Sequence, residues 1–299
     1  MRNAVFGQRK DKVKSLVDSF SYPKHGAGRV YERMGDHVIQ HGFEINLRET
    51  VEEIRVLPNG EGYEVETERA DGSTETYRTK ALFSSIPLTE FILKLRPHPP
   101  EEILAGARAL YYRDHITVNL IVDRPALFPD NWLYIHSPEV RMARLCEYGN
   151  FSKEMLADPN TSALSVEYFC FAHEEIWSTP NEELIALATR ELNTLGFLNG
   201  AKITDGFVVR EKDSYPAYYL GHKVHFDLLR DYVSALPNTW MIGRGGMYKY
   251  NNQDHSMLSG LLSARSYDGE KINLWEVNSD DQYLEEKQLP SPVGAGKSA

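Results

Sequence analysis

The sequence predicts a mixed α/β or α+β protein, and three observations carry that prediction. Helical apolar spacing and strand-like alternation interleave along the 299 residues. Asn59-Gly60 and Asp71-Gly72 sit between alternating runs, as hairpin turns do. A central block of alternating runs is flanked on both sides by segments in which strands and helices take turns. The expected organisation is a domain made of residues 1–97 and 214–284, with a second domain, 98–213, inserted on its own antiparallel sheet. Residues 285–299 mix Glu, Lys, Gln, Pro, Gly and Ser without apolar periodicity and are expected to form a disordered tail.

The elements run in order along the chain. Val13 to Phe20 suits a short helix, and a loop from Ser21 to Gly28 comes after it. Val30, Met34 and Val38 recur at a spacing of four, a helical stripe that ends at Gly42. Phe43 to Leu47 is expected as a short strand. Val51 to Leu57, Gly62 to Glu68 and Ser73 to Arg78 alternate as strands. Ala81 to Ile86 is almost continuously apolar, which predicts a buried strand closed by Pro87, and Leu88 to Leu95 a helix. In the central block Glu101 to Leu110 and Asn181 to Leu195 are expected as helices. Ile116 to Val122, Trp132 to His136, Met142 to Glu147, Ala163 to Cys170 and Phe207 to Arg210 are expected as strands. Beyond it come a helix from His222 to Leu236, a short strand from Thr239 to Ile242, a glycine-rich bend, and a helix from Asp254 to Arg265.

Composition narrows the function classes. Lys and Arg number 33 against 43 Asp and Glu, a net charge of −10, which gives no long-range attraction for a phosphate backbone. No nucleic-acid partner is expected. No run approaches the length of a membrane span, and the first ten residues hold no apolar signal core, so the expected compartment is the cytoplasm. Cys146 and Cys170 lie in apolar, strand-like contexts, as two buried thiols or as a disulfide. His37 and His41 have the spacing of paired zinc ligands, but Val38 stands where a zinc protease carries its Glu. No metal site is expected. There is no G-x-G-x-x-G after a strand, no phosphate-binding P-loop, no G-x-S-x-G and no C-x-x-C.

The segment from Trp240 to Arg265 is the most informative. An apolar strand runs into Gly243-Arg244-Gly245-Gly246, then a polar, aromatic loop, then a helix that Asp254 would cap. A helix N-terminus favours a group on which negative charge collects, such as the carbonyl edge of a reduced flavin. Glycines at 243, 245 and 246 would let backbone approach a flat ligand. The same pattern also fits an ordinary strand-turn-helix.

This segment resembles the C-terminal flavin-binding motif of the amine-oxidase superfamily, in the branch of protoporphyrinogen-oxidase-like and UDP-galactopyranose-mutase-like FAD proteins. Three other stretches resemble the same branch in the same order: Lys14 to Tyr31 with its Tyr-Pro and glycine loop, Ala81 to Leu88 ending in Ser-x-Pro-Leu, and Leu145 to Trp177. The resemblance implies a truncated FAD/NAD(P)-binding fold with an inserted substrate domain. It implies an FAD-dependent oxidoreductase, with a mutase acting on a sugar nucleotide and a non-catalytic binding remnant as alternatives. Family members begin with a βαβ unit carrying G-x-G-x-x-G. This chain resembles the portion C-terminal to that unit, so a separate Rossmann-type polypeptide is an expected partner beside a small-molecule substrate.

The resemblance also assigns residues. Val51 would sit beside adenine, while Gly26, Ala27 and Gly28 would face the flavin ring. Pro87 would close the strand next to it. Gly243, Arg244, Asp254 and Met257 would line flavin and ribityl chain, with Arg244 on a pyrophosphate oxygen. Tyr248, Tyr250, Asn252 and Tyr218 would approach the substrate. Each has a plainer alternative in core packing, a helix-entry loop or a surface ion pair. Tyr134, Tyr168 and Phe169 are further wall candidates, although aromatics at strand spacing also build cores. No general base is legible.

Overall fold

Alternation along Tyr112–Val122 places every second side chain in a core: Tyr112, Ile116, Val118, Leu120 and Val122 are buried. The structure, a computed structural model, describes residues 21–278. The helix expected over 13–20 and the tail expected over 285–299 lie outside them.

In chain order the elements are α1 (Gly28–Gln40), β1 (Glu49–Val56), β2 (Tyr63–Arg69), β3 (Thr74–Thr79), β4 (Leu82–Ser84), α2 (Leu88–Lys94), β5 (Leu95–Arg96) and α3 (Glu101–Ala109). Next come β6 (Tyr112–Val122), β7 (Trp132–Tyr134), β8 (Arg144–Glu147), α4 (Tyr148–Phe151), β9 (Ser162–Cys170), α5 (Glu175–Ser178), α6 (Asn181–Thr194) and β10 (Ile203–Pro216). The last are α7 (His222–Ser234), β11 (Thr239–Met241), α8 (Gly243–Gly246) and α9 (Gln253–Tyr267).

Three sheets result. Strands β10-β6-β9-β8-β7 form an antiparallel sheet, β3-β2-β1-β5 a second, and β11-β4 a two-stranded parallel pair. One face of the five-stranded sheet is covered by α6, whose Leu184, Ala188 and Leu192 are fully buried against Ile116, Val118 and Val166. Glu191 on the same helix is buried too. Its carboxylate accepts from the backbone N–H of Arg141 (2.7 Å) and Met142 (3.1 Å) and from the Tyr168 hydroxyl (3.0 Å), so its desolvation is offset by three donors. A second apolar cluster joins β1, β2, α2, α3 and α7 through Ile54, Tyr63, Phe91, Ile92, Leu104 and Leu229. Segments up to residue 112 and from residue 219 onward thus share one core, and the segment between them owns the other. Helix α3, placed by sequence in the inserted domain, packs instead with α2 and α7.

Several elements differ from expectation. Residues 43–47 form no strand: no neighbour among the described residues supplies ladder hydrogen bonds, and Phe43 and Leu47 are 68% and 82% exposed. The apolar run at Ala81–Ile86 shortens to three strand residues with one partner, so Phe83 stays exposed rather than buried. The strand seen as Phe207–Arg210 extends over Ile203–Pro216, its register shifting between Glu211 and Tyr215 where Asp213 takes a positive φ. The stripe of Val30, Met34 and Val38 does lie on a helix, but α1 buries none of its residues.

Candidate functional site

The free face of the five-stranded sheet carries an open, aromatic-lined cleft. The parity that buries Tyr112, Asp114 and Ile116 turns Tyr111, Arg113 and His115 to the other side. On β9 the same parity turns Glu167 and Phe169 outward, with Phe171 following, and buries Tyr168 and Cys170. Cross-strand pairing adds Tyr215 opposite Arg113, Arg144 opposite Glu167, and Tyr134 opposite Arg144. The loop after β10 brings Tyr218 and Tyr219, and the loop before α9 brings Tyr250. Together they enclose about 650 Å³ with eight aromatic side chains. Tyr111 stacks on Tyr219 at 5.0 Å, and Tyr215 on Tyr250 at 5.5 Å.

Charge in the cleft is organised around one carboxylate. Glu167 accepts from Arg144 Nε at 2.8 Å and lies 2.9 Å from His115 Nε2. Burial pushes its pKa up, but the bonds from His115 and Arg144 outweigh burial and leave the carboxyl below its ordinary range. The Cys146 thiol points at the same carboxylate, Sγ to Oε1 3.7 Å. Burial, then the charge of Glu167, pushes it up to about 12. Arg113 and Arg244 have no carboxylate partner among the described residues. Arg113 lies over Phe169 and Phe171 (5.9 and 5.7 Å), and Arg244 over Tyr215 and Tyr250 (4.5 and 5.0 Å).

Sequence-predicted residues fall into several groups. Tyr218 and Tyr250 meet in the cleft, where the Tyr250 N–H donates to the Tyr218 hydroxyl at 2.8 Å. Tyr134 and Phe169 line it as expected of wall residues, whereas Tyr168 sits on the opposite face, bonded to Glu191. Tyr248 is not a wall residue. It is 2% exposed, and its hydroxyl is shared between the carbonyls of Tyr111 and Ala217 at 3.0 and 2.9 Å. Arg244 reaches inward, its Nε donating to the Asn251 carbonyl at 2.9 Å and its rings being those of the cleft.

A Cβ on Gly246 would lie 2.5 Å from the Ser84 carbonyl, and one on Gly245 would lie 3.0 Å from that of Ser85. These glycines bring α8 against β4 and Pro87. The Gly243 N–H donates to Ser259 Oγ at 2.8 Å, and its carbonyl accepts from Asn251 at 3.1 Å. Asp254 does not cap α9. Asn252 holds the N-cap position, with its N–H donating to His255 Nδ1 at 3.4 Å, and Asp254 lies within the first turn. Val51 packs on the second apolar cluster. Ala27 and Gly28 open α1, and Gly26 before them is held at φ +90, where a Cβ would lie beside the Met155 side chain.

A flavin nucleotide fits these residues in part. Helix α9 buries Ser259 and Ser263 and exposes Met257 and Leu261, and a Cβ on Gly260 would meet nothing. That outer face suits a flat apolar body. Of the N–H groups of the glycine bend, that of Gly243 is already bonded internally, to Ser259 Oγ.

Arg113, Arg144, Tyr111, Tyr215, Phe171 and Tyr219 were missed from sequence. The available signal was parity: in Tyr111-Tyr112-Arg113-Asp114 the odd positions share the cleft face.

The family model for flavin containing amine oxidoreductases matches residues 3–282. Among solved structures, reduced UDP-galactopyranose mutase is similar at TM-score 0.72 and 17% identity, over 86% of this chain and 55% of that one. A protein from Exiguobacterium sp. 255-15 assigned as a protoporphyrinogen oxidase is similar at TM-score 0.58 and 16% identity, over 80% of this chain and 51% of that one. At these identities the likeness is one of fold, and the chain spans about half the length of either. No curated protein matches it.

Proposed function

The chain belongs to the flavin containing amine oxidoreductase family, and from that premise we propose that it forms the substrate side of an FAD-dependent oxidoreductase. The observation that supports this most directly is adjacency. Tyr250 lines the aromatic cleft, and two residues later Asn252 caps α9, whose outer face is apolar and uncovered. Asn252 and Asp254 at the start of α9, with Met257 one turn on, would hold the flavin ring. A flavin bound there would supply a hydride acceptor. The cleft residues would orient the donor and exclude water from it.

The phosphate-binding part of the site is assigned to structure outside the described residues, in keeping with the half-length match to the solved relatives. A Rossmann-type polypeptide or segment would lie over α9, Phe83 and the edges of β4 and β11. Among the described residues the parallel pair β11-β4 has no further strand at either edge, a bare parallel pair being unusual.

The test is purification of the protein from its native host, with flavin absorbance, FAD titration and thermal melting as readouts. A yellow preparation, or a melting point that rises saturably with FAD, is expected. A colourless, folded native protein that takes up no FAD overturns the proposal. Turnover of a UDP-sugar only when the flavin is reduced would replace the oxidoreductase reading with a mutase.

A further inference from the structure

We propose that the cleft over the five-stranded sheet takes a planar, conjugated ligand that carries an oxyanion, carboxylate or phosphate, and that it rejects amines. This deepens the preceding proposal and rests on it only for calling that ligand the substrate.

The lining itself argues for an anion. Besides the eight aromatic side chains, the cleft is bounded by Arg113, Arg144, Pro216 and Ala217, and no carboxylate is among them. Glu167 is already held by Arg144 and His115, and Glu211, opposite His115 on the same face, lies outside the cleft lining. Among the described residues Arg113, which is exposed, pairs with no acid, and Arg244 backs Tyr215 and Tyr250 without one. Two guanidinium charges are thus uncompensated locally, in a chain whose net charge is −10. Guanidinium is suited to bidentate capture of carboxylate or phosphate.

Aromatic cages also bind ammonium groups, so that alternative needs weighing. Four of the eight aromatic rings that an amine would use, Phe169, Phe171, Tyr215 and Tyr250, already face a guanidinium. Phe169 has Arg113 and Arg144 over it at 5.9 and 6.0 Å, and Tyr215 and Tyr250 have Arg244. A further cation there would meet guanidinium charge at short range, which is repulsive, and no carboxylate of the lining offsets it. A planar anion meets the opposite situation: stacking surface from the tyrosines and a free fork from Arg113.

The experiment uses three probes with one ring system: 2-naphthoate, 2-naphthyl phosphate and 2-naphthylmethylamine. Each is titrated by NMR against the chain without flavin, alongside a separate FAD titration. At least one anion is expected to bind at least tenfold more tightly than the amine, and the tighter of the two identifies the oxyanion. In Arg113→Gln the preference should fall at least fivefold, and in Arg113→Glu it should reverse, with the melting point unchanged at this exposed position. Equal or tighter binding of the amine, no binding by either anion, or a preference that survives Arg113→Gln overturns the inference. Because no flavin is present, failure here leaves the FAD proposal standing, and failure of FAD binding leaves this one standing.

Discussion

The hydroxyl of Tyr112 donates to the carbonyl of Gly245 at 2.8 Å. The same oxygen accepts from the backbone N–H of Leu88 at 3.0 Å, so one buried phenol joins the first turn of α2 to the glycine turn of α8. Burial holds its pKa well above the ordinary tyrosine range, and it stays a neutral donor. Tyr112→Phe leaves both backbone groups without this partner. The expected cost is roughly 1–3 kcal/mol, read as a lower denaturant midpoint with the m-value unchanged.

Gly246 makes a sharper steric prediction. With a Cβ 2.5 Å from the Ser84 carbonyl, Gly246→Ala must push α8 off β4. The expected loss is about 1–3 kcal/mol. Gly260→Ala, where the added methyl meets nothing, is the control and should be neutral or slightly stabilising, by under about 1 kcal/mol. Paired melts check both.

The Glu167 carboxyl titrates below its unfolded value near ~4.3, because His115 and Arg144 outweigh its burial. Its contribution is complete above that unfolded value and disappears as pH falls through the folded one. Glu167→Gln should therefore cost roughly 3 kcal/mol at neutral pH and flatten the acid limb of a stability-pH curve. An acid limb as steep as in the parent protein would count against this pairing.

The Cys146 thiol is held in its protonated form by burial and by Glu167, and Cys170 is buried without a disulfide. Iodoacetamide at about pH 8 needs thiolate. The native chain should thus resist alkylation at both positions, and modification should appear only with unfolding, as mass spectrometry would register.

Leu261 is 60% exposed on α9. Leu261→Asp should change stability by no more than about 0.5 kcal/mol and should abolish flavin retention in the native preparation. Retained flavin in that variant would place the cofactor elsewhere.

Much of this architecture was legible because local pattern and tertiary context agree. Leu184, Ala188 and Leu192 recur at helical spacing and do face a sheet. The failures have physical causes. Phe43 to Leu47 alternates like a strand, but a strand exists only where a neighbour completes its hydrogen bonds. Asp254 has capping chemistry, yet Asn252 stands two residues earlier and takes the position. The glycines at 245 and 246 do mark a close approach, as their composition suggests. The partner is β4, and sequence carries no record of which surface comes near. The cleft was half visible: Tyr134, Tyr218 and Tyr250 stood out, while Tyr111, Tyr215, Tyr219 and the arginines did not, because an isolated Arg or Tyr in an alternating run has the same appearance on any solvated strand. Register alone turned Tyr168 away and Phe169 in.

Helix α9 turns serines inward and methionine and leucine outward. Whatever covers that face also determines how long the chain survives in a cell. Left bare, an apolar helix face is what quality-control proteases and chaperones select. The abundance of the protein should then track the supply of its covering surface, a stoichiometric control exercised after translation. A pulse-chase half-life that lengthens when FAD or the complementary polypeptide is co-supplied is the expected signature, and a half-life indifferent to both would remove it.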